Sequence, residues 1–152
     1  MEIRLDDLRG PEIVALLRDH VDDMRRHSPA CSIHALDLEA LRQPSISFWS
    51  AWEDGQLLGC GALKQLDAGN GEIKSMRTAG GQQRRGVGSA LLVHIIRTAR
   101  ARGYHALWLE TGTAPAFVPA HRLYARHGFQ PCGPFGDYVE DPWSCFWHLP
   151  LG

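Results

Sequence analysis

Thr78-Ala79-Gly80-Gly81-Gln82-Gln83-Arg84-Arg85-Gly86-Val87-Gly88-Ser89 is rich in glycine, carries two adjacent arginines and stands directly before a run with helical periodicity. From Gly88 onward, Leu91, Leu92, Ile95, Ile96 and Ala99 recur on one helical face, and basic residues followed by Gly103 mark the end. Upstream, residues 72–78 read as a strand. The loop over 79–88 therefore delivers the chain from a strand into a helix N-terminus. Glycine lets the backbone turn its N–H groups toward a ligand, and the unpaired N–H groups and dipole of a helix start favour negative charge. Arg84 and Arg85 can add charge-assisted contacts. The segment is suited to phosphate.

Spacing separates the nucleotide readings. A P-loop needs a lysine before its Ser/Thr, and none precedes Ser89. A dinucleotide fingerprint needs a third glycine where Leu91 stands, although Glu110 falls about where a ribose-binding acid would. A tight turn with no ligand is the plainer alternative.

Outward from the loop, the N-terminal part predicts a helix opened by Pro11, with Ile13, Val14, Leu16, Leu17, Val21 and Met24 at helical spacing until Ser28-Pro29. A short second helix is expected over 36–42, stopped by Pro44. Strands follow over 46–52 and 57–66, joined by the turn Glu53-Asp54-Gly55-Gln56, and the turn Gly69-Asn70-Gly71 leads into the strand over 72–78. Beyond the central helix come a buried strand over 106–110, a helix over 119–127 closed by Gly128, and a last strand over 144–149. The order is two helices, then three antiparallel strands, the last of which opens a strand-helix-strand-helix-strand run.

The 152 residues fit one domain, 1–152, and 44% apolar against 22% charged residues is the composition of a packed core. Sixteen basic and 17 acidic residues leave a formal charge of -1, so no global attraction to nucleic acid or an anionic membrane is expected, and any anion site must be local. No apolar run approaches a membrane span, and Met1-Glu2-Ile3-Arg4-Leu5-Asp6-Asp7 lacks a basic region followed by an apolar one, so a cytoplasmic location is expected. Cys31, Cys60, Cys132 and Cys145 lie far apart and read as reduced thiols, and the eight histidines form no ligand-spaced cluster, so no metal is expected.

From Glu72 to Phe129 the chain resembles the GNAT superfamily of acyl-CoA-dependent N-acetyltransferases, and within it the small bacterial enzymes. Gln83-Arg84-Arg85-Gly86-Val87-Gly88 matches the family's [RQ]-x-x-G-x-[GA] signature, and Leu123-Tyr124-Ala125-Arg126-His127-Gly128-Phe129 resembles its L-Y-x-x-x-G-F segment. Glu72 lies fourteen residues before Gly86, where some members carry a general base. The resemblance implies an α/β fold with a mixed, mostly antiparallel sheet flanked by helices and splayed at its centre, and acetyl-CoA as co-substrate. Met76 and Thr78 would meet pantetheine through their backbone. N–H groups from about Arg84 through Arg85, Gly86, Val87 and Gly88 to Ser89 would hold the pyrophosphate, with Gln83 shaping the loop. Gly80 stands where the family commonly has proline, and Phe117 where many members have a cofactor-contacting asparagine.

Acetyl transfer from a thioester to an amine needs a base, an oxyanion donor and an acid at one point. The candidates are Glu72, a backbone N–H near Met76, and Tyr124, whose phenol is protonated at neutral pH. The plainer readings are a solvated strand-end glutamate, exposed by the Gly69-Asn70-Gly71 turn, and a tyrosine packed in the core. His34, Asp37, Trp49, Trp52, Tyr138 and Asp141 could line an acceptor site, although packing and helix capping explain Trp49, Trp52 and Asp37 equally. The expected acceptor is a small or amino-acid-like primary amine attacking directly in a ternary complex. A protein N-terminus or lysine is the alternative acceptor, and a non-catalytic acyl-CoA module or a nucleotide-binding oxidoreductase the alternative class. The resemblance admits a homodimer.

Overall fold

The computed structural model describes residues 1–27, 38–82 and 85–152. Its elements are β1 (Glu2–Leu5), α1 (Pro11–His27), α2 (Leu38–Leu41), β2 (Ile46–Glu53), β3 (Gln56–Asp67), β4 (Asn70–Thr78), α3 (Val87–Ala101), β5 (Ala106–Gly112), a 3-10 turn (Pro115–Phe117), α4 (Val118–Arg126), β6 (Gln130–Cys132) and β7 (Ser144–Pro150). The seven strands form one sheet in the order β1-β2-β3-β4-β5-β7-β6. Only β4 and β5 run parallel, and α3 supplies the crossover that a parallel pair requires. The expected mixed, mostly antiparallel sheet with flanking helices is the fold found.

Alternation along the strands sends neighbouring side chains to opposite faces. Phe48 and Ala62 join Ile13, Leu16, Leu17 and Leu41 of α1 and α2, whereas Trp49 and Leu63 join Leu91, Leu92, Ile95 and Ala99 of α3. All four named α3 residues are fully enclosed. Burying each leucine or isoleucine contributes about 1.5–3 kcal/mol, enough to seat α3 firmly behind β3 and β4.

Two strands escape the sequence reading. β1 is a four-residue edge strand with no buried side chain, and its apolar residues Ile3 and Leu5 are too few for a periodic signal. β6 is three residues long and is held by pairing with β7. The expected second helix shortens to α2, with residues 36 and 37 outside the described range.

One correction bears on the site. The β3–β4 turn is Ala68-Gly69, not Gly69-Asn70-Gly71, because Asp67 pairs across with Asn70. The Asp67 carboxylate accepts the Gly69 N–H at 2.8 Å and the Asn70 amide at 3.0 Å, closing the tighter turn. β4 thus begins two residues before Glu72. Glu72 sits inside the sheet, paired with Lys64 on one side and Trp108 on the other.

Candidate active site

The β4–β5 ladder runs from Asn70↔Ala106 to Ile73↔Leu109 and stops there, although β4 continues to Thr78 and β5 to Gly112. The strands part at the centre of the sheet, which leaves backbone groups of β4 facing a gap. Within that stretch Ser75 has φ 59, a left-handed conformation that is costly for a residue with a Cβ. Ser75 and Met76 together oppose the single residue Gly61, a β-bulge that re-aims the strand. The Cys60 thiol donates to the Ser75 carbonyl at 3.2 Å and pins the bulge. Burial pushes that thiol up to about 12, so it stays protonated and inert. Met76 packs toward the α3 side.

Glu72 is only 3% exposed, which removes the plainer of its two readings, a solvated strand-end side chain. The Tyr138 hydroxyl donates to its Oε2 at 2.6 Å, and Lys74 Nζ donates to the same oxygen at 3.4 Å. Lys74 Nζ also lies 3.5 Å from the Tyr138 oxygen, so the three polar ends form one triangle. Tyr138 reaches it from the segment between β6 and β7, where its ring packs on Phe135 at 5.0 Å and Phe146 at 5.5 Å. Beside the triangle a groove of about 470 Å³ is lined by Lys64, Asp67, Asn70, Trp108, Phe135 and Asp137.

Tyr124 lies on α4 and is buried, its ring edge-on to Phe129 at 5.8 Å. Burial first, and the Glu110 carboxylate of β5 second, hold its phenol well above the ordinary range. It therefore keeps its proton throughout the working pH range, and its burial equally fits the plainer reading of a core tyrosine. Glu110 raises both phenols, Tyr124 and Tyr138, and the Glu72 carboxylate raises Tyr138 as well, so the three share one electrostatic neighbourhood.

At the mouth of the gap, Gly86 begins α3 with φ 77, and no side chain caps the helix. The N–H groups of Val87, Gly88 and Ser89 are the orphan donors of its first turn. Ser89 Oγ lies 3.1 Å from His127 Nε2, which ties α3 to α4. Arg85 turns outward, giving hydrogen bonds to Gln82 at 2.5 Å and to Glu53 of β2. Gln83 and Arg84 lie outside the described residues, as do His34 and Asp37.

The profile of the Acetyltransferase (GNAT) family matches residues 13–129. The chain belongs to the GNAT acetyltransferase family. It is 55% identical over 146 residues to an uncharacterized N-acetyltransferase of Bacillus subtilis, YsnE, covering 96% of this chain and 97% of that one. It is 45% identical over 127 residues to the IAA acetyltransferase of Azospirillum brasilense, covering 81% and 80%. Among solved structures, a Klebsiella pneumoniae protein described as an acyl-CoA N-acyltransferase superposes with TM-score 0.79 at 27% identity, covering 99% and 97%. A GNAT acetyltransferase of Elizabethkingia anophelis with acetyl-CoA bound shares the fold, with TM-score 0.69 at 20% identity over 98% and 97% of the chains. The chain is an N-acetyltransferase, and no helix among its described residues is long and apolar enough to cross a membrane.

The GNAT frame sorts the remaining candidates. Trp49 is buried against α3, its ring 5.1 Å from His94, and Trp52 binds Ser50 Oγ while Arg4 stacks over it at 4.4 Å. Both lie on β2, two strands from the gap, and serve packing. Asp141 shapes its own turn, accepting the Trp143 N–H at 2.8 Å. Phe117 packs on Gly112 at the end of β5, and its ring also meets that of His27 at the end of α1, 6.1 Å away and edge-on. The residue that sequence reasoning undervalued is Tyr138, taken there as a generic lining side chain. Its signal was the aromatic pair Phe135 and Tyr138, three residues apart in the segment between β6 and β7.

Proposed function

We propose that the chain transfers the acetyl group of acetyl-CoA to the primary amine of a small or amino-acid-like acceptor, by direct attack within a ternary complex. The observation that carries this reading is the gap opened where β4 leaves β5 after Ile73, with buried Glu72 at its closed end and the uncapped start of α3 at its mouth. Unpaired strand backbone suits an amide-rich pantetheine arm, and uncapped helix N–H groups suit a pyrophosphate. The residues present fit that co-substrate. Met76 and Thr78 would meet pantetheine through their backbone. Gln83, Arg84, Arg85, Gly86, Val87, Gly88 and Ser89 would form the phosphate cradle.

In this reading Glu72 takes the ammonium proton, and the freed amine attacks the thioester carbonyl. The C–N bond forms to give a tetrahedral oxyanion; its collapse breaks the C–S bond, Tyr124 protonates the departing thiolate, and the second nitrogen proton leaves to solvent as Tyr124 regains one, giving the neutral amide and the free thiol. A backbone N–H at the Met76 bulge stabilises the oxyanion. The bound acetyl-CoA of the Elizabethkingia neighbour supports the co-substrate, and the Azospirillum relative's name supports a small-molecule acceptor. The test is thiol release from acetyl-CoA across a panel of small amines, amino acids and peptides with free N-termini or lysines. Turnover with small amines is expected; turnover with peptides alone would reassign the acceptor, and turnover with none would remove the reading.

A further inference from the structure

We propose that Tyr138 is a catalytic residue that meets the acceptor's ammonium group and passes its proton to Glu72. This inference rests on the reading of the chain as an amine acetyltransferase with Glu72 as base.

Glu72 as the structure holds it is not a surface that an acceptor can touch. It is 3% exposed, and its Oε2 is taken by the Tyr138 hydroxyl at 2.6 Å and the Lys74 ammonium at 3.4 Å. Lys74 is a cation and cannot accept a proton. Tyr138 and Lys74 are both half-buried, and of the two only the phenol oxygen can accept a hydrogen bond while donating another, on the side where the Lys74 ammonium stands at 3.5 Å. It is also held in position: Phe135 and Phe146 clamp its ring, and Phe135 in turn packs on Trp108 at 5.7 Å.

The step balances in protons. An N–H of the ammonium gives its proton to the Tyr138 oxygen as the Tyr138 O–H proton moves to Glu72 Oε2. The amine becomes neutral, the phenol is regenerated and Glu72 carries the proton until solvent removes it by the reverse path. No tyrosinate need form. Burial and the carboxylates of Glu72 and Glu110 push the phenol well above its ordinary range, which disfavours a free phenolate and favours a concerted transfer.

The test compares wild type, Tyr138→Phe, Glu72→Gln and the double variant, using an amine that the wild type acetylates. Tyr138→Phe keeps the ring and its packing, and thermal melting together with acetyl-CoA affinity close to wild type verifies that. Below the amine's own pKa, kcat/KM should fall by about a hundredfold or more, the usual worth of a positioned base. The deficit should shrink as pH rises past that pKa, because a neutral amine needs no base. The double variant should be no slower than the slower single variant, as expected of residues acting in one path. A deficit that is constant with pH, or losses that multiply, overturns the relay and leaves Tyr138 only packing beside Glu72. Failure of the underlying reading looks different: the wild type itself then releases no thiol with any amine, and the relay falls with it.

Discussion

Arg77 on β4, just past the bulge, donates to the Asp23 carboxylate on α1, and His20 lies one turn earlier on the same helix, its Nδ1 buried and without a hydrogen-bond partner among the described residues. Burial first, and the Arg77 charge second, lower His20 to about 4 against the 6.5 of a free imidazole. The unfolded chain then binds a proton that the folded chain refuses between these two values. Stability is complete above about pH 6.5 and is lost as pH falls toward 4, by up to about 3 kcal/mol. Melting temperature should drop on going from pH 7 to pH 5, and His20→Gln should flatten that slope. Equal slopes in the two proteins would show that His20 is not the group responsible.

Gly86 holds φ 77 at the start of α3, with open space where a Cβ would sit. Gly86→Ala adds only backbone strain, about 1–2 kcal/mol, and acetyl-CoA should still bind. Gly86→Glu sets a bulky carboxylate beside the same orphan N–H groups and should abolish binding through charge repulsion and obstruction. Titration calorimetry with acetyl-CoA separates the two. Unchanged affinity in Gly86→Glu would mean that the phosphates lie elsewhere.

Tyr124 packs on Phe129 by its ring, so Tyr124→Phe removes the hydroxyl while leaving that contact intact. Turnover should fall by about 10²–10⁴, with acetyl-CoA affinity nearly unchanged. Wild-type turnover in Tyr124→Phe would reduce Tyr124 to a core residue.

Much of this was legible in the sequence because α1, α3 and the central strands advertise themselves by period. Leu91, Leu92, Ile95, Ile96 and Ala99 specify the helix, and Gly86-Val87-Gly88 its start, without any tertiary information. What was hidden depends on long-range partners. Glu72 gains its burial from Lys64, Trp108 and Tyr138, the last 66 residues away, and a turn misplaced by one residue made it look exposed. Ser75 carries no local signal for a left-handed conformation; the mismatch between β3 and β4 at Gly61 imposes it. The pairing of the Arg85 side chain with Glu53 could not be read from spacing.

Gly112 ends β5 directly under the Phe117 ring, and a Cβ placed there would stand 2.3 Å from the nearest ring carbon. The same residue's carbonyl lies 2.9 Å from His121 Nε2, which assigns the imidazole proton to Nε2 and fixes the strand end against α4. A retreat of Gly112 would strain that contact. Gly112→Ala should therefore destabilise by about 1–3 kcal/mol through overpacking, lowering the melting temperature by roughly 2–10 °C for a chain of this size. Shortening the ring in Gly112→Ala/Phe117→Leu should recover much of that loss, because the two side chains compete for one space and their effects cannot add. Additive losses in the double variant would show that Phe117 is not what confines residue 112.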